Sequence, residues 1–135
     1  MKILFVCHGN ICRSPMAEFI MKRLVNDAGL DDKIEICSRA ISNEELDNPV
    51  YPPAKEELAR RGLSCKGKYA VQLRRDDYDK YDMFVIMDEW NEMRIGGILG
   101  RDDEALYFGQ PCHVINAIDF LSRQVYIGNR IGLGL

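Results

Sequence analysis

A cysteine and an arginine six positions apart, Cys7 and Arg13, bracket His8-Gly9-Asn10-Ile11-Cys12, and Ser14-Pro15 follow directly. A thiol attacks as its thiolate, which is favoured wherever backbone N–H groups and a guanidinium converge on the sulfur. A loop of this length can curl until both side chains meet the same phosphorus centre. An anion held inside it, such as phosphate, sulfate or vanadate, would meet the amides of residues 8–14, the positive end of a following helix and a two-pronged Arg13. The residue types therefore point to covalent phosphoryl transfer through a phosphocysteine. A bare Cys-x5-Arg also arises by chance, with Cys7 then a buried structural cysteine, so the flanking elements have to decide.

Those elements suit the task. Lys2-Ile3-Leu4-Phe5-Val6 is a short apolar run rich in strand formers, as expected of a strand covered on both faces of a parallel sheet, and it leaves Cys7 at the carboxyl end. Gly9 and Asn10 accept the left-handed backbone that a tight cradle needs. Ser14-Pro15 reads as an N-cap and first-position proline for a helix that runs to Gly29. Lys33 to Cys37 alternates as a second strand, which completes a βαβ unit. Pro52-Pro53 opens a helix with Ala54, Leu58 and Ala59 on one side, closing at Gly62. Tyr81 to Met87 reads as a buried third strand, Asn91 to Leu99 as a helix stopped by Gly100, and Cys112 to Ile118 as a fourth strand. The expected architecture is α/β: a small, doubly wound, four-stranded parallel sheet with helices on both faces, in a single domain spanning 1–135. Its site lies at the carboxyl end of strand one, where open parallel sheets bind ligands.

Composition narrows the class. The chain has 135 residues, 47% apolar and 29% charged, with a net charge of −3, which fits an ordinary globular domain. No long basic run with interleaved aromatics argues for nucleic acid, and no apolar run of membrane-spanning length is present. A signal-like N-terminus is also lacking, so a cytoplasmic location is expected. Five cysteines without a Cys-x-x-Cys pair, and two distant histidines, suggest neither a disulfide framework nor a metal site, and no cofactor is called for.

Val6 to Pro15 resembles the signature loop of the low-molecular-weight protein tyrosine phosphatases, V-C-x-G-N-x-C-R-S-P after the first strand. Asn48-Pro49-Val50-Tyr51-Pro52-Pro53-Ala54 resembles that family's loop and helix start after strand two, and Met87-Asp88-Glu89-Trp90-Asn91 its M-D-x-x-N after strand three. The resemblance runs to about residue 100. It implies Cys7 as nucleophile, Arg13 as phosphate and transition-state clamp, Ser14 as hydroxyl donor to the thiolate, and Asn10 as the residue holding the loop's shape. The implied substrate is a phosphotyrosine protein or a small phosphomonoester. Cys12 has two readings: a redox partner that forms a reversible disulfide with Cys7, as the matching family cysteine does, or a small side chain filling space under the loop. His8 is either a rim contact to substrate or a bystander. The family walls its substrate with an apolar side chain after strand two, and Leu46 is the candidate here. Asp88 and Asn91 either bond loops near the site or, the favoured reading, cap the following helix.

After Gly100 the chain departs from the pattern. The family's general acid is an aspartate in a D-P-[YW]-Y loop, and no Asp-Pro step occurs; Asp102, Asp103 and Asp119 are the remaining downstream carboxylates, with Asp119 a weak substitute. Gln124 to Leu135 is punctuated by glycine and poorly suited to the family's C-terminal helix, so an uncovered sheet face and self-association are expected. Protonating the leaving group is worth about 10²–10⁴ in rate, so its loss would impair catalysis on poor leaving groups. The runner-up of another class is a catalytically weak phosphate or phosphotyrosine binding module. An arsenate reductase would need further redox cysteines, and Cys65 and Cys112 are isolated.

Overall fold

A computed structural model of the chain describes residues 1–100 and, in backbone only, 113–116. The elements run β1 (Lys2–Cys7), α1 (Arg13–Asp27), β2 (Glu35–Ala40), α2 (Pro52–Arg60), α3 (Asp77–Lys80), β3 (Met83–Ile86), α4 (Glu89–Leu99) and β4 (His113–Asn116). They build a parallel sheet in the order β2-β1-β3-β4. Residues Ile3 to Cys7 of β1 are all buried, because α1 packs on one face of the sheet and α4 on the other. That double covering is why the strand reads as a continuous apolar run. Leu4, Val6, Phe84 and Ile86 meet Ile95 and Leu99 of α4, with Tyr78 and Tyr81 beside them. Ile3, Phe5, Ile36 and Val85 meet Met21 and Val25 of α1. A third cluster, Val50, Ala54, Leu58 and Cys65, seats α2 against Met16, Phe19 and Ile20 of α1.

Several boundaries differ from expectation, each for a local reason. Cys12 is the N-cap of α1 and makes no side-chain cap bond, so Ser14 and Pro15 lie inside the first turn and are not cap and first position. The Ser14 hydroxyl is instead engaged with Cys7 and Asn10. Strand β2 starts later than Lys33, because the N–H groups of Lys33 and Ile34 both bond Leu30 O in a turn. It continues to Ala40, which pairs with Cys7 and brings the ends of the two strands level. Strand β3 is shorter than 81–87. The short α3 carries no apolar periodicity that would announce it; the Asp77 carboxylate accepts from Arg74 N at 2.8 Å and closes the turn before it. Ala59, expected on the packed side of α2, is exposed. Of the expected strand 112–118, the backbone of His113–Asn116 pairs with Met83–Ile86. Asp102, Asp103, Asp119 and the glycine-punctuated segment 124–135, expected to lack the family's C-terminal helix, lie outside the described residues.

Candidate active site

Strand β1 delivers Cys7 to the sheet's carboxyl edge at 3% exposure. The chain then turns through Asn10, whose φ of 58° is left-handed, a conformation asparagine tolerates better than other residues bearing a Cβ. This turn swings the Asn10 N–H back to 3.3 Å from Cys7 Sγ. Ser14 Oγ, from the first turn of α1, lies 3.0 Å from the same sulfur. The carbonyls of Cys7, His8, Ile11 and Cys12 accept from the N–H groups of Ile41, Ser42, Tyr51 and Met16, so the loop's oxygens are tied into its surroundings. Gly9 is overlain closely: a Cβ there would come 3.3 Å from Glu45 Cγ.

Beneath the loop lies a buried polar chain that sequence reasoning missed. Asn10 donates from Nδ2 to Ser14 Oγ at 2.8 Å and to Ser38 Oγ at 2.9 Å, and its Oδ1 accepts from Val71 N at 3.0 Å. Ser38, on β2, donates to Glu18 Oε1 at 2.5 Å. Glu18 also pairs with Lys22 at 2.6 Å and Lys68 at 3.4 Å. Asn10, Ser14, Ser38 and Glu18 are all buried, as polar groups can be when each is hydrogen-bonded. One signal was available in the sequence: Glu18 falls in line with Ser14, Met21 and Val25, on the face of α1 that the structure buries.

At the rim, Arg13 is exposed and its NH1 donates to Asp88 Oδ2 at 2.6 Å. Asp88 does both things the sequence left open. Its Oδ1 accepts from Asn91 N at 2.9 Å while Asn91 Oδ1 accepts from Asp88 N, a reciprocal cap that starts α4, and its other oxygen holds Arg13. The Asp88 bond and charge raise Arg13 above its ordinary value against the opposing effect of burial. Burial alone would push the Asp88 carboxyl up, but the Arg13 bond, the Asn91 amide and the Arg13 charge outweigh it and hold it below its usual range. His8 Nε2 lies 3.1 Å from Glu44 Oε2. Within 43–48, Glu44 and Glu45 reach the loop, whereas Leu46 is 39% exposed. Cys12 packs against the apolar cluster under α2. Among the described residues no group of three or more His, Cys, Asp or Glu is placed to hold a metal, and no helix is long and apolar enough to cross a membrane.

The model of the low molecular weight phosphotyrosine protein phosphatase family matches residues 2–106. The chain belongs to this family. The low molecular weight protein-tyrosine-phosphatase YfkJ of Bacillus subtilis is 35% identical over 119 residues, covering 88% of this chain and 72% of that relative. Its crystal structure superposes with a TM-score of 0.80 at 32% identity, over 96% of this chain and 82% of that one. The low molecular weight phosphotyrosine protein phosphatase of Gallus gallus is 38% identical over 89 residues, 66% of this chain but 56% of the relative, so the chain spans just over half of that enzyme's length. Vibrio vulnificus Wzb, crystallised with benzylphosphonate, superposes with a TM-score of 0.64 at 26% identity, over 72% of this chain and 64% of that one. The α/β fold with a parallel sheet flanked by helices is the one that these low molecular weight phosphatases share.

Proposed function

We propose that the chain is a single-domain, cysteine-dependent phosphatase that hydrolyses phosphotyrosine-type phosphomonoesters through a phosphocysteine on Cys7. The observation that carries this reading is the seating of Cys7 Sγ between the Asn10 N–H and Ser14 Oγ, at the start of a loop that ends on Arg13. With the carbonyls of Cys7, His8, Ile11 and Cys12 taken up by backbone donors, the loop's N–H groups are the ones suited to face an anion.

In the first step the Cys7 thiolate forms an S–P bond as the ester P–O bond breaks, and the phenolate leaves with a proton. Water then attacks phosphorus, the S–P bond breaks, inorganic phosphate departs and the thiolate returns. Arg13, held beside the mouth by Asp88, turns its fork to the equatorial oxygens of the transferring group, where a planar bidentate donor is best matched. His8, Gly9, Ile11 and Cys12 contribute loop amides, and Ser14 and Asn10 hold the sulfur. Benzylphosphonate, the ligand crystallised with Wzb, carries a methylene carbon where an aryl phosphate has its ester oxygen, which supports an aryl phosphate of tyrosine type as the substrate class. The wall of the entrance is assigned to the Glu44 and Glu45 stems beside Leu46. The chain has no Asp-Pro step to supply the family's usual acid, so proton delivery to the leaving phenolate is impaired and poor leaving groups react slowly, with Asp119 no more than a weak substitute.

The test is steady-state hydrolysis of an activated aryl phosphate and of phenyl phosphate, with chelator present, by the wild-type protein and Cys7→Ser. Turnover that vanishes in Cys7→Ser supports the reading, and a steep fall with the poorer leaving group marks an impaired acid. Vanadate binding without any turnover of either ester would replace it with a phosphate-binding module.

A further inference from the structure

We propose that the groove between α2 and the turn 63–69 is a second binding site, which takes a small organic anion with an apolar body. It lies apart from the catalytic loop, since none of residues 7–14 lines it, and its occupation does not require Cys7 to be a nucleophile. The cavity has a volume of about 750 Å³. Proteins hold small molecules in cavities of about 300–1,000 Å³.

The surrounding chain keeps this space open. Val50 and Cys65, buried members of the cluster under α2, form its floor, with Leu63 beside them. Ala59 and Gly67 border it and bring it no bulk; a Cβ built on Gly67 has nothing within 4 Å. An unfilled groove along α2 is thus the reason Ala59 stands exposed. Both sides are pinned in place. Pro49 pairs with Tyr69 as an antiparallel bridge, Leu63 N donates to Leu58 O at 2.8 Å, and Lys68 N donates to Cys65 O at 3.1 Å. A wall held by these bonds and by the fixed φ of Pro49 and Pro52 is preformed, so an occupant binds without the cost of ordering it.

Charge selects the occupant. No Asp or Glu among the described residues lines the groove, whereas Lys55, Lys66 and Lys68 do. The Lys68 ammonium is already engaged by Glu18 at 3.4 Å and Ser38 O at 3.2 Å, so it offers the groove its apolar stem. Lys55 and Lys66 are exposed and, among the described residues, belong to no ion pair. Residues 49–69 carry five Lys or Arg against two Glu, in a chain whose net charge is −3. One of those carboxylates, Glu57, is taken by both Arg60 and Arg61. A cationic rim over an apolar floor matches a ligand with an anionic head and a hydrocarbon or aromatic body.

The probe is 8-anilinonaphthalene-1-sulfonate, which joins fused apolar rings to one sulfonate and fluoresces on leaving water. It is titrated into the wild type, Lys55→Glu, Lys66→Glu, Ala59→Glu and Lys33→Glu, each with and without vanadate. The wild type should bind one probe per chain saturably, and vanadate should not displace it. Lys55→Glu and Lys66→Glu should each bind about tenfold more weakly, the scale of one charge-assisted hydrogen bond lost. Ala59→Glu, which sets a carboxylate in the cavity, should bind at least as weakly as these two. Lys33→Glu changes net charge as the lysine variants do, but lies outside the groove, and should bind like the wild type. The four positions are exposed, circular dichroism checks that each variant folds, and any that does not leaves the comparison to the others. Absence of saturable binding, displacement by vanadate, or undiminished affinity in the folded groove variants would overturn the proposal. So would a loss in Lys33→Glu as large as in Lys55→Glu, because overall charge alone would then attract the probe.

Discussion

Replacing Asn10 by glycine sets two effects against each other whose magnitudes can be compared. Asn10 sits at φ 58° and is 1% exposed. The left-handed backbone costs a residue with a Cβ about 1 kcal/mol, and glycine removes that term. Against it stand the three hydrogen bonds of the carboxamide, to Ser14 and Ser38 and from Val71 N. Each is worth about 1 kcal/mol net, and more where a buried partner is left unsatisfied. Glycine also loosens the unfolded chain, at about 0.5–1 kcal/mol. The hydrogen bonds win: Asn10→Gly should lose about 3 kcal/mol. Asn10→Ala should lose a similar amount, because it keeps the strain but adds less unfolded-state freedom. With a urea slope of about 1–3 kcal/mol/M, the midpoint should fall by about 1–3 M in both variants. Urea unfolding followed by tryptophan fluorescence measures this directly. A glycine variant as stable as the wild type would mean that backbone strain, and not the polar chain, governs the loop, and the argument for Asn10 would fail.

Cys7→Ser should fold with wild-type stability to within about 1 kcal/mol, since a hydroxyl can occupy the same polar seat, while losing all aryl phosphate turnover; a Tm scan beside the hydrolysis assay checks both. Asp88→Asn should tell on stability only above acid pH. Because the folded Asp88 carboxyl lies below its ordinary value of 3.8, the stabilisation is complete above that value and is lost as pH falls through the lower folded one. The pair is partly exposed, so the difference at pH 7 should be no more than about 0.5 kcal/mol, and a gap that persists to pH 2 would contradict it. Phe84→Ala removes a side chain of 0% exposure at the centre of the sheet and should cost about 3–5 kcal/mol by denaturant titration. Gly100→Ala should cost about 1 kcal/mol: the position has φ 68°, and a Cβ would stand 2.7 Å from Arg75 Nε, whose flexible side chain can move while the backbone strain stays.

By itself the sequence determined the loop and its two flanks. Cys7, Asn10, Arg13 and Ser14 lie within eight residues, and the contacts that gather Asn10 and Ser14 around the Cys7 sulfur are separated by three, four and seven positions, so residue type and spacing suffice for those three. Strand β1 was legible because burial on both faces demands an unbroken apolar run. What holds the loop is another matter. Ser38 lies 28 positions from Asn10, Val71 lies 61 from it, and Asp88 lies 75 from Arg13. A serine in a strand, a lysine in a polar connection and an aspartate before a helix carry no mark of such partners. Asp88 reads correctly as a cap and still conceals its hold on Arg13. Parallel strand pairing brings these segments level with the end of β1, and a buried polar group is stable there only when every donor finds an acceptor. That requirement acts on the folded chain, which is why tertiary structure alone decided which residues support the loop around the Cys7 sulfur.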